Sequence, residues 1–363
     1  MREYLLCLLA AAAITYLLAP SVRAVAIHFG AVAEIRDRDV HSDVTPRWGG
    51  LAMLGGLLVA VTLASQLPLM GTIFHDHRQI RAVLMAAGII VVLGLIDDRI
   101  GLDAPTKLVG QILAAGTLAM QDVTLVWLPI HGTFILDPMT SLLLTVLVVL
   151  VSINAVNMVD GLDGLAATIV GVGSIAFFAY SYFLSVTNGY QRAALATLIS
   201  ASLVGMCSGF MPHNWHRARL FMGDTGSMLI GLLMAASSIL LTGQVDPGGL
   251  TSGELLPAFL PIVLPLSILA IPLLDLGLAV IRRTRKGRSP FAPDKEHLHH
   301  RLLDLGHGQE RAVLIMGAFT ALIAFSVVST AFVPMVVSLL GFLVGAIALA
   351  FWVLNPTHER LTS

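Results

Sequence analysis

Long apolar runs separated by short polar stretches extend along almost the whole of this 363-residue chain. A helix that crosses a lipid bilayer needs about 20 mainly apolar residues. Runs of that kind begin near residues 3, 49, 79, 107, 139, 164, 192, 224, 255, 311 and 335. The pattern predicts an all-α, polytopic membrane protein with about eleven transmembrane helices, in which residues 1–363 form a single domain.

Composition supports a location in the membrane, and the placement of the positive charges predicts which side each terminus faces. The chain is 56% hydrophobic and only 12% charged, which leaves too little polar surface for a soluble globule of this size. If the loops alternate sides, seventeen Lys and Arg residues share one side and four share the other. The positive-inside rule puts the seventeen in the cytoplasm. We therefore expect a cell-membrane protein with its N-terminus outside, its C-terminus in the cytoplasm and its site at the cytoplasmic face.

Two adjacent carboxylates, Asp97 and Asp98, end the third apolar run in the segment DDRIGLDAPTKLVGQ, which also contains Lys107. Carboxylates at the C-terminus of a helix face the negative end of the helix dipole and also repel each other. We therefore expect a cation beside them. The structural alternative is a pair of solvated loop acids.

The segment NAVNMVDGLDGLA places Asn154, Asn157, Asp160 and Asp163 at intervals of three, beside Gly161. On a helix, residues at this spacing lie near one another on one face, so the segment offers several oxygen ligands together. A glycine turn with capping Asn and Asp residues is the alternative. Capping accounts for one or two of these residues but not readily for all of them.

The segment HNWHRARLFMGDTGSMLIG precedes the eighth run. Asp224 is well placed to cap the new helix, which is its structural interpretation. Gly223 and Ser227 leave backbone N–H groups at a positive helix end, which suits a phosphate group. Phe221 could stack on a nucleotide base, and ordinary packing is the alternative for this residue.

The last large cytoplasmic loop holds a basic run followed by His297, His299, His300 and Arg301. Such basic runs commonly set topology or contact anionic lipid. Zinc is the alternative ligand for three histidines, but no cysteine accompanies them, and the carboxylates of the chain suit magnesium or manganese. We interpret the cluster as phosphate-binding or proton-transferring.

Acids at helix ends, glycines at a helix start and a His/Arg loop are thus predicted to meet at one membrane face. That combination suits phosphoryl transfer, in which cations and oriented amides offset the repulsion between a diphosphate and an attacking phosphate. A secondary transporter is the alternative from another class. It would carry acids at the membrane midplane and an internal repeat, neither of which is evident in the sequence.

The blocks DDRIGLDAPTKLVGQ, NAVNMVDGLDGLA, FMGDTGS and HLHHR, in this order, resemble the polyprenyl-phosphate N-acetylhexosamine-1-phosphate transferase superfamily from residue 36 to about residue 305. The resemblance implies magnesium-dependent (or manganese-dependent) transfer of N-acetylglucosamine 1-phosphate from UDP-N-acetylglucosamine to undecaprenyl or decaprenyl phosphate. UMP would be released and a cell-envelope glycopolymer started. HSDVTPRWGG and HLHHR are closer to the N-acetylglucosamine branch than to the muramyl-pentapeptide branch, which is the alternative. Asp39 stands where that branch usually carries lysine.

Carried over position by position, the resemblance implies that Asp224 binds the metal, with Asn157 and Asp160 beside it. Asp97 and Asp98 would orient or deprotonate the lipid phosphate. The other implied site residues are Asp160, His297, His299, His300 and Arg301 for catalysis, and Lys107, Asn154, Asn157, Gly161, Leu162, Asp163, Phe221, Arg47 and His41 for substrate binding.

The implied partners are UDP-N-acetylglucosamine, a polyprenyl phosphate and membrane lipid, with no nucleic acid and with a homodimer left open. A lipid phosphate is mostly dianionic at neutral pH, by analogy with phosphorylated side chains. We therefore favour its direct attack on the donor, while a covalent phosphosugar on Asp97 or Asp98 remains the alternative.

Overall fold

The computed structural model describes residues 1–32, 45–74, 77–128, 134–187, 193–242, 263, 267, 270–285, 287 and 298–355. Within these ranges, the α-helices are α1 (Arg2–His28), α2 (Gly49–Gln66), α3 (His77–Ile100), α4 (Ala104–Ala119), α5 (Pro138–Val159), α6 (Leu165–Thr187), α7 (Ala193–Asn214), α8 (Gly223–Thr242), α9 (Ala270–Arg285), α10 (Leu298–Asp304), α11 (Gln309–Ser329) and α12 (Met335–Leu354). A 3-10 helix spans Pro68–Phe74, and the strands β1 (Trp127–Leu128) and β2 (Phe134–Ile135) pair antiparallel.

Nine of the helices in the described ranges are long and apolar enough to cross a membrane, namely α1, α2, α3, α5, α6, α7, α8, α11 and α12. Each begins within two residues of a predicted span. The predicted fourth span corresponds to α4, which has only 16 residues. Most of the predicted ninth span lies outside the described residues. The prediction of an all-helical, polytopic membrane protein is confirmed at this level.

Helix α8 occupies the centre of the bundle. The most apolar stretch of α8 is wholly buried, whereas that of α12 is only 6% buried. α8 contacts α2, α3, α5, α6 and α7, while α12 packs mainly against α11. The N-terminus of α8, which carries Asp224, therefore lies among the ends of several other helices rather than at the periphery.

Glycines allow α2, α3 and α8 to approach closely. A Cβ atom added at Gly94 of α3 would collide with the backbone of Thr225, and one added at Gly50 of α2 would collide with the backbone of Gly226. Small residues at crossing points let helix backbones pack closely in membrane proteins. These contacts bring the acidic end of α3 directly against the first turn of α8.

Candidate active site

A lysine joins carboxylates from two helices at the centre of the site. The Nζ atom of Lys107 in α4 lies 2.6 Å from Oδ2 of Asp97 and 2.7 Å from Oδ2 of Asp224. The cation that the sequence led us to expect beside the acidic pair is therefore Lys107. The contact closes a ring of three helix ends, because α3 supplies Asp97 at its C-terminal end and α8 supplies Asp224 in its first turn.

The neighbouring carboxylate, Asp98, binds the start of α8. Its Oδ1 atom accepts a hydrogen bond from the backbone N–H of Asp224 at 2.9 Å. Its Oδ2 atom accepts from the backbone N–H of Thr225 at 3.1 Å and from the Thr225 hydroxyl at 2.6 Å. Asp98 thus satisfies donors that an α-helix leaves unpaired at its N-terminus. The sequence suggested Asp224 for that capping role, but Asp98 performs it, and the Asp224 carboxylate contacts Lys107.

Gly223 makes this arrangement possible. Its backbone has φ +69°, in the left-handed region that glycine tolerates at little cost. A Cβ atom at this position would also collide with the carboxylate of Asp98. The glycine of the FMGDTGS block is therefore required both by backbone conformation and by the closeness of α3.

The amides of α5 face α4 and α8. Asn157 donates from Nδ2 to the hydroxyl of Ser227 at 2.9 Å, and its side chain also interacts with the Asp224 carboxylate. Asn154 donates from Nδ2 to Oε1 of Gln111 at 2.8 Å, which joins α5 to α4 one turn beyond Lys107. The two amides predicted from the spacing of three therefore lie on the same side of α5 as the carboxylate cluster.

The turn after α5 holds the loop that precedes α8. Asp163 is buried, and its Oδ2 atom accepts from the backbone N–H of Ala218 at 3.1 Å. Asn214 accepts from the backbone N–H of Gly164 at 3.0 Å and donates to the carbonyl of Leu220 at 3.1 Å. The sequence reading missed Asn214, although a polar residue at the end of a buried helix was a usable signal. Both side chains fix the approach of the chain to Phe221.

Phe221 is half-buried and held by the segment that leads into α2. Its backbone N–H donates to the carbonyl of Pro46 at 2.8 Å, and its carbonyl accepts from the N–H of Gly49 at 3.0 Å. Arg47 belongs to the same segment, so the structure brings these two predicted substrate residues together. Trp48, which the sequence reading missed, has φ 82° and donates from Nε1 to the carbonyl of Leu95 at 3.2 Å.

Several carboxylates lie near the turn between α5 and α6 and act on Asp160. The pKa of Asp160, the C-cap of α5, is raised from 3.8 to about 8, first by desolvation and then by the charges of Asp224, Asp98 and Asp163. Arg47 opposes these effects. Carboxylates that lie close together are neutralised either by protonation, which the raised pKa of Asp160 reflects, or by a cation, so a cationic ligand or cofactor at this turn would be stabilised.

The remaining predicted site residues lie outside the described ranges or in and beside helix α10. His41 and His297 lie outside the described residues, while His299 and His300 belong to the first turn of α10, which begins at Leu298. Arg301 is exposed on the same helix. Leu302 and Leu303 of α10 pack against an apolar cluster that contains Leu162, so α10 lies beside the α5–α6 turn. Gly161, in the same turn, is exposed.

The oxygen atoms of Asp97, Asp224 and Asn157 can supply the protein ligands of a magnesium site. Within the described ranges, no three His, Cys, Asp or Glu side chains form a group that could hold a metal ion. However, Asp97 and Asp224 direct one oxygen each toward the same point, which Lys107 occupies. Magnesium is usually bound through one or two carboxylates together with water and substrate phosphates. Two converging carboxylates with the Asn157 amide nearby therefore fit this ion.

Comparisons with known proteins agree with this chemistry. Residues 80–242 match the glycosyl transferase family 4 model. The chain is 46% identical over 341 residues to the decaprenyl-phosphate N-acetylglucosaminephosphotransferase of Mycolicibacterium smegmatis, with 92% of this chain and 83% of that protein covered. It is 31% identical over 307 residues to the probable undecaprenyl-phosphate N-acetylglucosaminyl 1-phosphate transferase of Bacillus subtilis, with 83% and 77% covered. A third relative, the undecaprenyl-phosphate alpha-N-acetylglucosaminyl 1-phosphate transferase of Yersinia pestis, is 31% identical over 309 residues, with 83% and 77% covered.

Proposed function

The chain belongs to glycosyl transferase family 4, and from that premise we propose that it transfers N-acetylglucosamine 1-phosphate from UDP-N-acetylglucosamine to a polyprenyl phosphate. UMP is the second product, and the lipid-linked sugar starts a cell-envelope glycopolymer. The observation that carries the proposal is the ring of Asp97, Lys107 and Asp224 at the meeting point of α3, α4 and α8. The names of the relatives support the sugar and the acceptor class.

We assign the acceptor lipid phosphate to the α3 side of the ring. Asp97 is the carboxylate that orients or deprotonates this nucleophile, because one of its oxygens faces Lys107, whose side chain is partly exposed, and is not used to hold α8. Both oxygens of Asp98 are engaged by the first turn of α8, so its role is to position Asp224. The lipid phosphate then attacks the donor directly, and its prevailing dianionic form at neutral pH limits the need for a strong base.

The donor lies on the α8 side. Phe221 stacks on the uracil, beside Arg47 and the turn of residues 161–163. The diphosphate reaches the start of α8, where the helix dipole favours negative charge. Lys107 and the His/Arg helix α10 complete the cationic surroundings of the phosphates.

Asp224 is the proposed magnesium ligand, with Asn157 and Asp160 close to it. A bound magnesium ion would neutralise the charge of the donor diphosphate. Manganese is the alternative ion, because both prefer oxygen ligands. The carboxylate of Asp224 that would bind the ion stands at the start of α8, where Gly223 and Asp98 fix the backbone.

The finer topology is also part of the proposal. Eleven spans with the N-terminus outside would put the carboxylate ring and the basic loops at the cytoplasmic face of the plasma membrane, where UDP-sugars are available. The asymmetric distribution of Lys and Arg along the sequence supports this orientation. A homodimer stays a prediction.

The direct test uses purified protein in detergent with UDP-N-acetylglucosamine, decaprenyl phosphate and magnesium chloride. We expect UMP release only when all three are present, and little release by Asp224→Asn. Parallel reactions with UDP-N-acetylgalactosamine and with UDP-N-acetylmuramoyl-pentapeptide test the donor. Faster release from the pentapeptide donor would replace the proposal by the muramyl-pentapeptide reaction. Sustained UMP release over many turnovers without lipid would exclude polyprenyl phosphate as the acceptor, whereas a single burst equal to the enzyme concentration would indicate the covalent route.

A further inference from the structure

We propose that Lys107 is an internal counter-cation, which links Asp97 to Asp224 in the metal-free protein and leaves both carboxylates when a divalent cation binds. The released ammonium then becomes available to the substrate phosphates. This inference rests on the proposed function, because it assigns Asp224 to a divalent cation. It adds a switch between two positions of one side chain.

The geometry shows why the two cations compete. The Nζ atom of Lys107 lies 2.6 Å from one carboxylate oxygen of Asp97 and 2.7 Å from one of Asp224. At this length the ammonium forms charge-assisted hydrogen bonds with those two oxygens. A metal bound by that oxygen of Asp224 would lie within a few ångströms of the position that the ammonium occupies. Two positive charges a few ångströms apart also repel strongly.

The carboxylates are held in place more firmly than the lysine. The second oxygen of Asp97 accepts from the backbone N–H of Leu102 at 2.7 Å. The backbone of Asp224 is held by its N–H bond to Asp98. Lys107 instead carries its charge on a flexible four-carbon chain, and its side chain remains 29% exposed. The side chain that can leave without disturbing a helix is therefore that of Lys107.

Charge balance gives the direction of the exchange. Two carboxylates from different helices face one monovalent ammonium, and the carboxylate of Asp98 lies beside them at the start of α8. The ammonium offsets part of the repulsion between Asp97 and Asp224 when no metal is bound. A divalent ion neutralises the pair more completely and prefers carboxylate oxygens. Lys107 then exchanges its carboxylate partners for phosphate oxygens, which bind ammonium groups well.

The first experiment measures manganese binding in the absence of substrates, by the loss of the free-ion signal in electron paramagnetic resonance. We expect Lys107→Met to bind manganese at least tenfold more tightly than the wild type. Arg99→Met is the matched control, because it removes one exposed positive charge at the same end of α3; we expect less than a threefold change. Asp224→Asn defines background binding. Unchanged or weaker manganese binding by Lys107→Met, or an equal gain in Arg99→Met, would overturn the proposed competition.

A second measurement needs no variant and therefore does not depend on the folding of Lys107→Met. A short pulse of acetic anhydride at constant pH, followed by mass spectrometry, reports the reactivity of each lysine. Lys286 and Lys295 are the other lysines of the chain and serve as internal references. Saturating magnesium should raise acetylation of Lys107 several-fold relative to these references.

The outcomes separate this inference from the proposed function. If magnesium leaves the reactivity of Lys107 unchanged while UMP release still requires magnesium and lipid, the switch is wrong and the proposed transferase activity stands. If UMP release fails with every donor while magnesium still exposes Lys107, the transferase proposal fails and the cation exchange stands.

Discussion

Replacing Asp98 by Asn tests whether this buried carboxylate acts on the structure or on the substrate. In the wild type, its two oxygens accept from two backbone N–H groups and one hydroxyl at the start of α8. An Asn side chain keeps one carbonyl oxygen, which can still accept from the N–H of Asp224. Its NH2 group, however, faces the N–H of Thr225, and two donors cannot bond each other. The hydroxyl of Thr225 can rotate and accept instead.

The expected loss follows from this count. One hydrogen bond to a charged group disappears, which is worth about 1.5–3 kcal/mol, and the buried N–H of Thr225 loses its acceptor. The negative charge near the positive end of α8 also disappears, which costs about 0.3–1 kcal/mol. We therefore expect a decrease of about 2–4 kcal/mol in the free energy of unfolding. At about 2 °C for each kcal/mol in a chain of this size, the midpoint should fall by about 4–8 °C.

Thermal unfolding in detergent and steady-state UMP release should be measured on the same preparations. Thr225→Val is the matched control, because it removes the hydroxyl that donates to Asp98 and leaves the carboxylate in place. A purely structural role predicts that Asp98→Asn lowers the unfolding midpoint and that residual activity, measured well below this midpoint, remains detectable. Complete loss of turnover with an unchanged unfolding midpoint would refute the structural assignment. It would instead support a role of Asp98 in orienting or deprotonating the lipid phosphate.

Three further predictions concern the other parts of the site. Phe221→Ala should raise the KM for the UDP-sugar by about 5- to 150-fold with a smaller change in kcat, since base stacking is worth about 1–3 kcal/mol, whereas Phe221→Tyr should be mild; equal donor affinity in both variants would indicate packing alone. Trp48→Phe removes both the hydrogen bond to the Leu95 carbonyl and the pyrrole part of a buried indole, so it should lower the free energy of unfolding by more than about 1 kcal/mol, measured by thermal unfolding, and an unchanged midpoint would contradict this role. In the metal-free protein, the pKa of Asp160 is raised from 3.8 to about 8, so the folded state holds a proton that the unfolded chain loses, and stability should fall as the pH rises from about 4 to 8. Asp160→Asn should flatten this pH dependence in unfolding experiments, and an unaltered slope would argue against the raised pKa of Asp160.

Much of the helical framework could be predicted from the sequence, because a membrane span is a local property. Twenty consecutive apolar residues cross a bilayer whatever they pack against, so the nine described spans begin within two residues of their predicted starts. The start of α4 was predicted three residues too late. Asp103 caps it by accepting from the N–H of Thr106, and proline occupies its first turn, both of which are local signals that hydropathy alone overlooks.

The division of labour within the site required the tertiary structure. Asp97 and Asp98 are adjacent in sequence, yet they point to different partners because successive residues on a helix are about 100° apart. Which of them meets Lys107 and which meets α8 depends on the close crossing of α3 and α8 at Gly94. The capping role expected of Asp224 belongs to Asp98 for the same reason.

Long-range contacts also explain the residues that the sequence reading missed or grouped together. Asn154 and Asn157 do share one side of α5, but the helix ends before Asp160, and Asp163 binds the loop before α8 instead. Trp48 and Asn214 hold chain segments that are distant in sequence. The sequence determined which residues could carry charge, hydrogen bonds or base stacking at one end of the helices. The packing of α8 among its neighbours decided which of them contact each other, because that packing depends on backbone approaches between segments more than a hundred residues apart.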